Sequence, residues 1–134
     1  MVARGIRNNN PGNIRWGCAW KGLKVDGKEQ DKEFCVFIAP EYGIRAIVKI
    51  LMNYRDIYKI CTVSGIIHRW APPSENNTVA YINHVSKELG VDADETIDVS
   101  NKNIMLKLVK AIIKHENGEQ PYSDETIMKG ISLV

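Results

Sequence analysis

The sequence predicts an α+β domain, mainly α, in which a small β-hairpin lobe at about residues 14–38 precedes about five helices. The lobe is predicted because residues 14–16 and 34–38 have strand character, and Asp26-Gly27 between them is a hairpin turn signal. The helices are predicted because apolar residues recur at helical spacing from Pro40 onward. This order of elements indicates a hairpin lobe packed against a helical body.

Start and stop signals divide the helical part into separate elements. Pro40 and Glu41 open the first helix, and Thr62 caps the second. Asn77 or Thr78 caps the third, and Ser123 or Asp124 caps the last. The predicted helices cover about residues 40–58, 64–70, 78–89, 104–118 and the segment after 124.

The helix predicted over residues 104–118 carries the candidate catalytic residue, Glu116. Glu116 lies four residues after Ile112 and seven after Val109, so it points along the apolar stripe of this helix. Burial and the negative end of the helix dipole both disfavour a charged carboxylate there. A glycosidase needs a carboxylic acid that keeps its proton near neutral pH. Periodicity alone leaves open a helix-end glutamate that turns to solvent or pairs with a lysine.

The Asn-rich segment, residues 5–15, contains four asparagines in six positions, Asn8 to Asn13, together with Pro11 and two glycines. This composition predicts a shaped loop rather than a helix. Asparagine amides both donate and accept hydrogen bonds, so they suit sugar hydroxyls or the positioning of a neighbouring acid. A plain surface turn is the alternative reading.

The composition describes an ordinary single domain over residues 1–134, with 44% hydrophobic and 25% charged residues. A net charge of +2 is too weak to indicate a nucleic-acid partner, although it suits an anionic cell wall. No apolar run approaches the roughly 20 residues of a membrane span, so we expect no membrane insertion.

No signal peptide pattern precedes the Asn-rich segment. We therefore expect synthesis in the cytoplasm and another device that carries the protein to the cell wall.

The three cysteines and three histidines do not form a metal-ligand pattern, and no cofactor is expected. A cysteine peptidase using Cys35 or Cys18 with His68 or His84 is disfavoured, because neither cysteine is placed at a helix start. A DNA-binding helical module is disfavoured because no basic stripe accompanies a recognition helix.

Four blocks of the sequence resemble a family of phage and prophage virion-associated proteins similar to the lytic muramidases of some bacteriophage particles. The blocks are residues 4–14 (RGIRNNNPGNI), 40–46 (PEYGIRA), 69–78 (RWAPPSENNT) and 115–118 (HENG). The resemblance covers nearly the whole chain. It implies peptidoglycan as the partner, action at the cell wall or in the periplasm, and a phage particle or a secretion machinery as the carrier.

The same residues are more distantly similar to lysozyme-like lytic transglycosylases and bacterial N-acetylglucosaminidases. In those enzymes an acid-bearing helix end precedes an asparagine-rich segment, an aromatic hairpin and a tyrosine-bearing helix. Here residues 111–118 resemble the acid-bearing end and residues 76–81 the tyrosine-bearing helix, whereas the Asn-rich segment opens the chain. Because chain termini often lie close together, the resemblance implies a circularly permuted lysozyme-like fold.

The function implied is cleavage of the glycan strand of peptidoglycan, by a muramidase or a lytic transglycosylase. Glu116 would be the general acid, and Tyr81 would either form a hydrogen bond near the acid or help to stabilise the developing positive charge. Glu41 is the rival for the acid, and Glu41 and Glu75 are the candidates for a second carboxylate. A non-catalytic cell-wall-binding or virion structural protein of the same fold is the alternative.

Substrate binding is expected from polar and aromatic side chains outside the acid itself. The asparagines would orient sugar hydroxyls, and the tryptophans would stack on sugar rings or form a wall of the groove. For each tryptophan, packing in the core is the other interpretation. The expected binding residues are Asn9, Asn10, Asn13, Trp16, Trp70, Glu75 and Asn77.

Overall fold

The part of the chain described by a computed structural model, residues 2–134, contains seven helices. They are α1 (Arg4–Arg7), α2 (Gly27–Gln30), α3 (Pro40–Asp56), α4 (Val63–Trp70), α5 (Thr78–Leu89), α6 (Lys102–Asn117) and α7 (Asp124–Ser132). The first two are single turns within an N-terminal segment, and the remaining five form the body of the domain. Because α1 includes residues 5–7, the Asn-rich segment begins with a helical turn, and the predicted loop starts only at Asn8.

Residues 14–38 do not form the predicted β-hairpin lobe, so the expectation of an α+β, lysozyme-like fold is wrong. The described residues contain no sheet, and pairing here is limited to isolated bridges between Arg15 and Phe34 and between Leu23 and Phe37. The single turn of α2 occupies the position of the predicted hairpin turn. The domain is therefore all-helical, with an irregular N-terminal segment.

Side chains, rather than a strand ladder, satisfy much of the backbone of this segment. The Asn10 amide donates to the carbonyl oxygens of Ile14 and Cys35, both at 2.9 Å, and its oxygen accepts from the Ile14 N–H at 3.0 Å. The Asp31 carboxylate accepts from the backbone N–H groups of Glu33 and Phe34 at 2.9 and 3.0 Å. Asparagine and aspartate that bond the backbone in this way compete with a ladder, so the strand-like pattern does not extend into a sheet.

Asp31 also ties the segment to α1 and the loop that follows it. Its side chain is buried and pairs with the Arg4 guanidinium at 2.6 and 2.7 Å and with the Asn8 amide at 2.9 Å. The hydrogen bond from Arg4 is the largest cause that lowers the pKa of Asp31, and bonds from the Phe34 backbone and Asn8 act in the same direction. Asp31 is therefore held as a charged anchor of the N-terminal segment.

The central helix, α6, confirms the prediction made from its periodicity. The Asn101 side chain caps its start by accepting from the N–H groups of Asn103 and Ile104, and Gly118 ends it in the left-handed conformation with φ of 74°. Met105, Leu108, Val109 and Ile112 are at most 1% exposed, as expected for the apolar stripe of this helix. α5 and α7 pack against this helix, and α7 also packs against α3.

The Asn-rich segment lies over the C-terminal end of α6. The Asn117 amide donates to the Pro11 carbonyl oxygen at 2.8 Å and to the Ile113 carbonyl oxygen at 3.0 Å. Gly12 packs so closely that an added Cβ would meet Ile47 of α3 at 2.8 Å and Trp70, the last residue of α4, at 3.1 Å. These contacts bring the segment, the end of α6 and the end of α4 to one place.

Candidate active site

Glu116 is the second-last residue of α6, and it is half-buried where the helix meets the Asn-rich segment. Val109 and Ile112, which precede it on the same side of the helix, are fully buried. The helical spacing therefore places its carboxylate at the edge of the core rather than in open solvent.

Three side chains donate hydrogen bonds to the Glu116 carboxylate. The Asn13 amide donates to Oε1 at 3.3 Å, while the Trp70 indole N–H and the Tyr81 hydroxyl donate to Oε2 at 3.3 and 3.0 Å. The donors lie 103, 46 and 35 residues from Glu116 in the sequence, so tertiary structure alone brings them together. Oε2 has two protein partners, whereas Oε1 has one.

Tyr81 is fully buried in α5 and lies behind the acid. Burial, followed by the neighbouring Glu116 carboxylate, raises the pKa of the Tyr81 hydroxyl. The hydroxyl therefore keeps its proton and remains a hydrogen-bond donor. Its ring stacks on the His115 ring with centroids 3.7 Å apart, which fixes the orientation of the ring.

Asn13 reaches the acid from a backbone conformation that few residue types adopt. Its φ is 51°, in the left-handed region that asparagine tolerates better than most non-glycine residues. Its Oδ1 and the Oδ1 of Asn117 are both buried without a hydrogen-bond partner. Both oxygens face Gly5, where an added Cβ would lie 2.7 and 2.5 Å from them. The absence of a side chain at Gly5 therefore allows Asn13 to reach Glu116.

Glu116 opens into a groove with a volume of about 600 Å³. The groove combines polar groups with aromatic and aliphatic side chains, a lining that is typical of ligand-binding sites. Its lining residues are Gly12, Asn13, Ile14, Arg15, Phe34, Ile50, Tyr54, Trp70, Ala71, Glu75, Asn76 and Glu116.

Five of the residues expected from the sequence meet at this site. Asn13, Trp70, Glu75 and Glu116 line the groove, and Tyr81 supports the acid from behind. Glu75 is thus the second carboxylate of the groove.

Asn9 and Asn10 have structural positions outside the groove. Asn10 is fully buried, and its amide and carbonyl groups are occupied by the backbone of residues 14 and 35. Asn9 donates from its side chain to the Phe37 carbonyl oxygen at 3.1 Å, with its own backbone at φ of 53°. Because the backbone of the irregular segment needs partners, these amides hold the loop and do not line the groove.

Trp16, Asn77 and Glu41 also lie away from the groove. The Trp16 indole donates to the Asp31 carbonyl oxygen at 2.8 Å and packs in the small cluster of the N-terminal segment. Asn77 caps α5 by accepting from the Ala80 N–H. Glu41 lies in the first turn of α3, where an acid interacts favourably with the helix dipole.

Sequence reasoning missed several residues of the groove. Asn76 lines it, whereas the adjacent Asn77, which was expected there, is used as a helix cap. Ile50 and Tyr54 are four residues apart and therefore share one face of α3. This spacing could have predicted that the two side chains line the same surface. Arg15 and Phe34 stand at the first bridge of the N-terminal segment.

Clusters of metal ligands and helices that could cross a membrane are both absent from the described residues. Over residues 2–134 no three side chains among His, Cys, Asp and Glu are grouped so as to hold a metal ion. Across the same range, each helix is too short or too polar to traverse a lipid bilayer.

Comparison with known proteins finds a relative in a bacteriophage. No protein-family model matches the sequence. The chain is 39% identical over 132 residues to Protein P5 of Pseudoalteromonas phage PM2, an alignment that covers 96% of this chain and 80% of the relative. It therefore belongs to the same family as this phage protein. The relative's name states no activity, so the chemistry of the site carries the functional argument.

Proposed function

We propose that this protein cleaves the glycan strand of peptidoglycan, as a phage muramidase or lytic transglycosylase, with Glu116 as the general acid. One observation carries the proposal: an acid at the end of a buried helix faces a polar and aromatic groove and is held by donors from three separate elements. Such positioning of a single carboxyl group is what proton transfer to a leaving group requires.

The two oxygens of Glu116 have different surroundings, and this difference suggests their roles. Trp70 and Tyr81 both bond Oε2, so this oxygen anchors the side chain. Oε1 has only Asn13 and is the better oxygen to carry a proton toward the substrate. The proton would pass from Oε1 to the glycosidic oxygen as its bond to the sugar carbon breaks. The departing sugar keeps the bonding electrons and the proton, and positive charge develops on the other ring.

Two routes complete the reaction. In the first, the N-acetyl oxygen or the 6-hydroxyl of the same sugar bonds to the cationic carbon. The 6-hydroxyl closes the anhydro ring and passes its proton to the Glu116 carboxylate that the first step left ionised, so one acid is sufficient. In the second, water attacks, and a second carboxylate takes its proton. Glu75 is the candidate for that base because it lines the same groove. Glu41 is a poorer candidate because its side chain does not line the groove.

The proposed substrate class fits a protein that has a phage relative. A bacteriophage must pass the peptidoglycan layer of its host, and a glycan-cleaving protein serves that need. The site of action would then be the cell wall, and a phage particle or a secretion machinery would be the carrier. The chain's weak positive charge suits this anionic surface.

A non-catalytic cell-wall-binding or virion structural protein is the second candidate. The observation that favours it is the full set of donors around Glu116, because hydrogen bonds to both oxygens also satisfy an ionised carboxylate with a purely structural role. Loss of Glu116 would then reduce stability without removing any reaction.

The test is the rate at which the protein clears a suspension of purified peptidoglycan. Glu116→Gln keeps the shape of the side chain but removes the acid, so we expect a loss of about 100-fold or more in rate. Glu119→Gln is the matched control, because it makes the same change at an exposed position three residues away. Circular dichroism would check that all variants are folded. Equal clearing by wild type and Glu116→Gln contradicts the proposal, and no clearing by either protein favours the second candidate.

A further inference from the structure

The Glu116 groove adjoins a second cavity. This neighbouring cavity has a volume of about 540 Å³ and shares two lining residues, Ile50 and Tyr54, with the groove. Its remaining lining residues are Asn53, Ile57, Tyr58 and Arg69. A chain-like ligand that lies across Glu116 can therefore extend along α3 past Tyr54 without leaving the protein surface.

Arg69 is the one cationic side chain that lines this second cavity. Its guanidinium lies 3.7 Å from the centre of the Tyr58 ring and 5.5 Å from that of Tyr54. Within residues 2–134 Arg69 makes no ion pair with a carboxylate, in contrast to Arg4 and Arg55. The two rings thus hold the guanidinium in place by cation–π contact while its charge is left for another partner.

We infer that the cavity formed by Tyr54, Tyr58 and Arg69 binds a carboxylate of the stem peptide attached to the glycan strand. This inference rests on the proposed function, since the glycan would place its next peptide-bearing sugar beside the cavity. The planar fork of arginine matches a carboxylate through two parallel hydrogen bonds. Tyr58 is 50% exposed and Ile57 61% exposed, so apolar parts of a peptide also find a surface there.

The chemistry of the cavity favours a carboxylate over the other acidic or neutral parts of a cell wall. A polyphosphate polymer carries a charge at each repeat and is bound by several cations, whereas this cavity presents one. A neutral sugar has no charge for the unpaired Arg69 guanidinium to balance. A single, fixed arginine between aromatic rings is suited to one carboxylate at a time.

Binding of soluble glycan fragments tests the inference. Titration calorimetry would compare fragments that carry stem peptides with the same fragments after enzymatic removal of the peptides and conversion of the exposed lactyl carboxylates to amides. Every protein would carry Glu116→Gln, so that the fragments are not consumed. Arg69→Gln is the test variant, Arg69→Lys keeps the charge without the fork, and Arg7→Gln is the control at an exposed arginine of α1.

We expect Arg69→Gln to weaken binding of the peptide-bearing fragment by about tenfold, as for the loss of a charge-assisted hydrogen-bond pair. Binding of the peptide-free fragment should not change, Arg69→Lys should be intermediate, and Arg7→Gln should match its parent. An equal loss on both fragments, no loss on either, or no binding by the parent overturns the inference. Because the binding experiment does not measure cleavage, a Glu116→Gln parent that binds with this discrimination, together with a wild type that does not clear peptidoglycan, would refute the proposed function alone.

Discussion

The hydroxyl of Tyr81 donates a hydrogen bond of 3.0 Å to Oε2 of Glu116, and its ring is stacked on that of His115. The acid and its support thus come from the end of α6 and the first turn of α5. Since Tyr81 is fully buried, this contact fixes the carboxylate against the core rather than leaving it to rotate in solvent.

Tyr81→Phe should reduce the rate of peptidoglycan clearing by about tenfold, the equivalent of one hydrogen bond of about 1.4 kcal/mol. The phenylalanine ring keeps the stack on His115 but leaves Oε2 with Trp70 as its remaining donor. Tyr122→Phe is the matched control, because the Tyr122 hydroxyl is buried without a partner and lies outside the groove. A Tyr81→Phe protein as active as the control would show that the hydroxyl does not position the acid.

Gly5→Ala should impair both folding stability and activity. The new Cβ would lie 2.5 Å from Asn117 Oδ1 and 2.7 Å from Asn13 Oδ1, so Asn13 would be pushed from its bond to Glu116. We expect a loss of about 1–3 kcal/mol in the free energy of unfolding, as for other overpacking changes. Urea unfolding and the clearing rate would measure the two effects.

Gly118→Ala provides the comparison for Gly5→Ala. Its φ of 74° strains any side chain, by about 1–2 kcal/mol, yet an added Cβ meets no atom within 4 Å. Gly118→Ala should therefore lower the free energy of unfolding by an amount similar to that of Gly5→Ala. The folded Gly118→Ala protein should clear peptidoglycan at the wild-type rate. If both variants lose activity in proportion to stability, Gly5 has no specific role at the site.

The two candidate second carboxylates should behave differently. Glu41→Gln should leave the clearing rate within about twofold of wild type, because Glu41 is not among the groove-lining residues. Glu75→Gln should reduce the rate if water is the nucleophile. The clearing assay at saturating substrate would measure both. A large loss for Glu41→Gln would contradict the placement of the reaction in the groove.

Folding stability should fall in acid because of Asp31. The pKa of Asp31 is lowered in the folded state by Arg4 and the surrounding donors, so its contribution is complete above the unfolded value of about 3.9. As the pH falls below that value, the unfolded chain takes up the proton first and the contribution is lost.

Urea midpoints measured from pH 6 to pH 2 test this effect. Asp31→Asn should be less stable than wild type at pH 6 and should show a smaller decrease in acid. Asp26→Asn, at an exposed carboxylate of the same segment, should follow the wild-type curve. Parallel curves for wild type and Asp31→Asn would contradict the anchoring role of Asp31.

The helical body was predictable because local signals and packing agree there. The α6 stripe from Met105 to Ile112, the cap at Asn101 and the left-handed Gly118 all indicate one helix with Glu116 on its inner side. The capping positions Thr62 and Ser123 likewise set the starts of α4 and α7. A cap or an apolar stripe depends on residues of the same helix, so its position can be predicted from the spacing of residues in the sequence.

The N-terminal segment and much of the groove were not predictable in this way. Residues 14–16 and 34–38 look like strands, but bonds from Asn10 and Asp31 replace the ladder over long sequence distances. Asn76 and Asn77 are chemically identical neighbours, and only tertiary structure assigns one to the groove and the other to the cap. Contacts between distant elements leave no periodic signal in the sequence.

Mass spectrometry of the fragments released from purified peptidoglycan is the most direct test of glycan cleavage at Glu116. We expect wild type to release disaccharide-peptide units that end in either a reducing sugar or an anhydro sugar, and Glu116→Gln to release none above background. The type of end would also decide between the hydrolase and the transglycosylase. Glycan strands that remain uncut by the wild type, or fragments that arise only from broken peptide bonds, would contradict glycan cleavage by this protein.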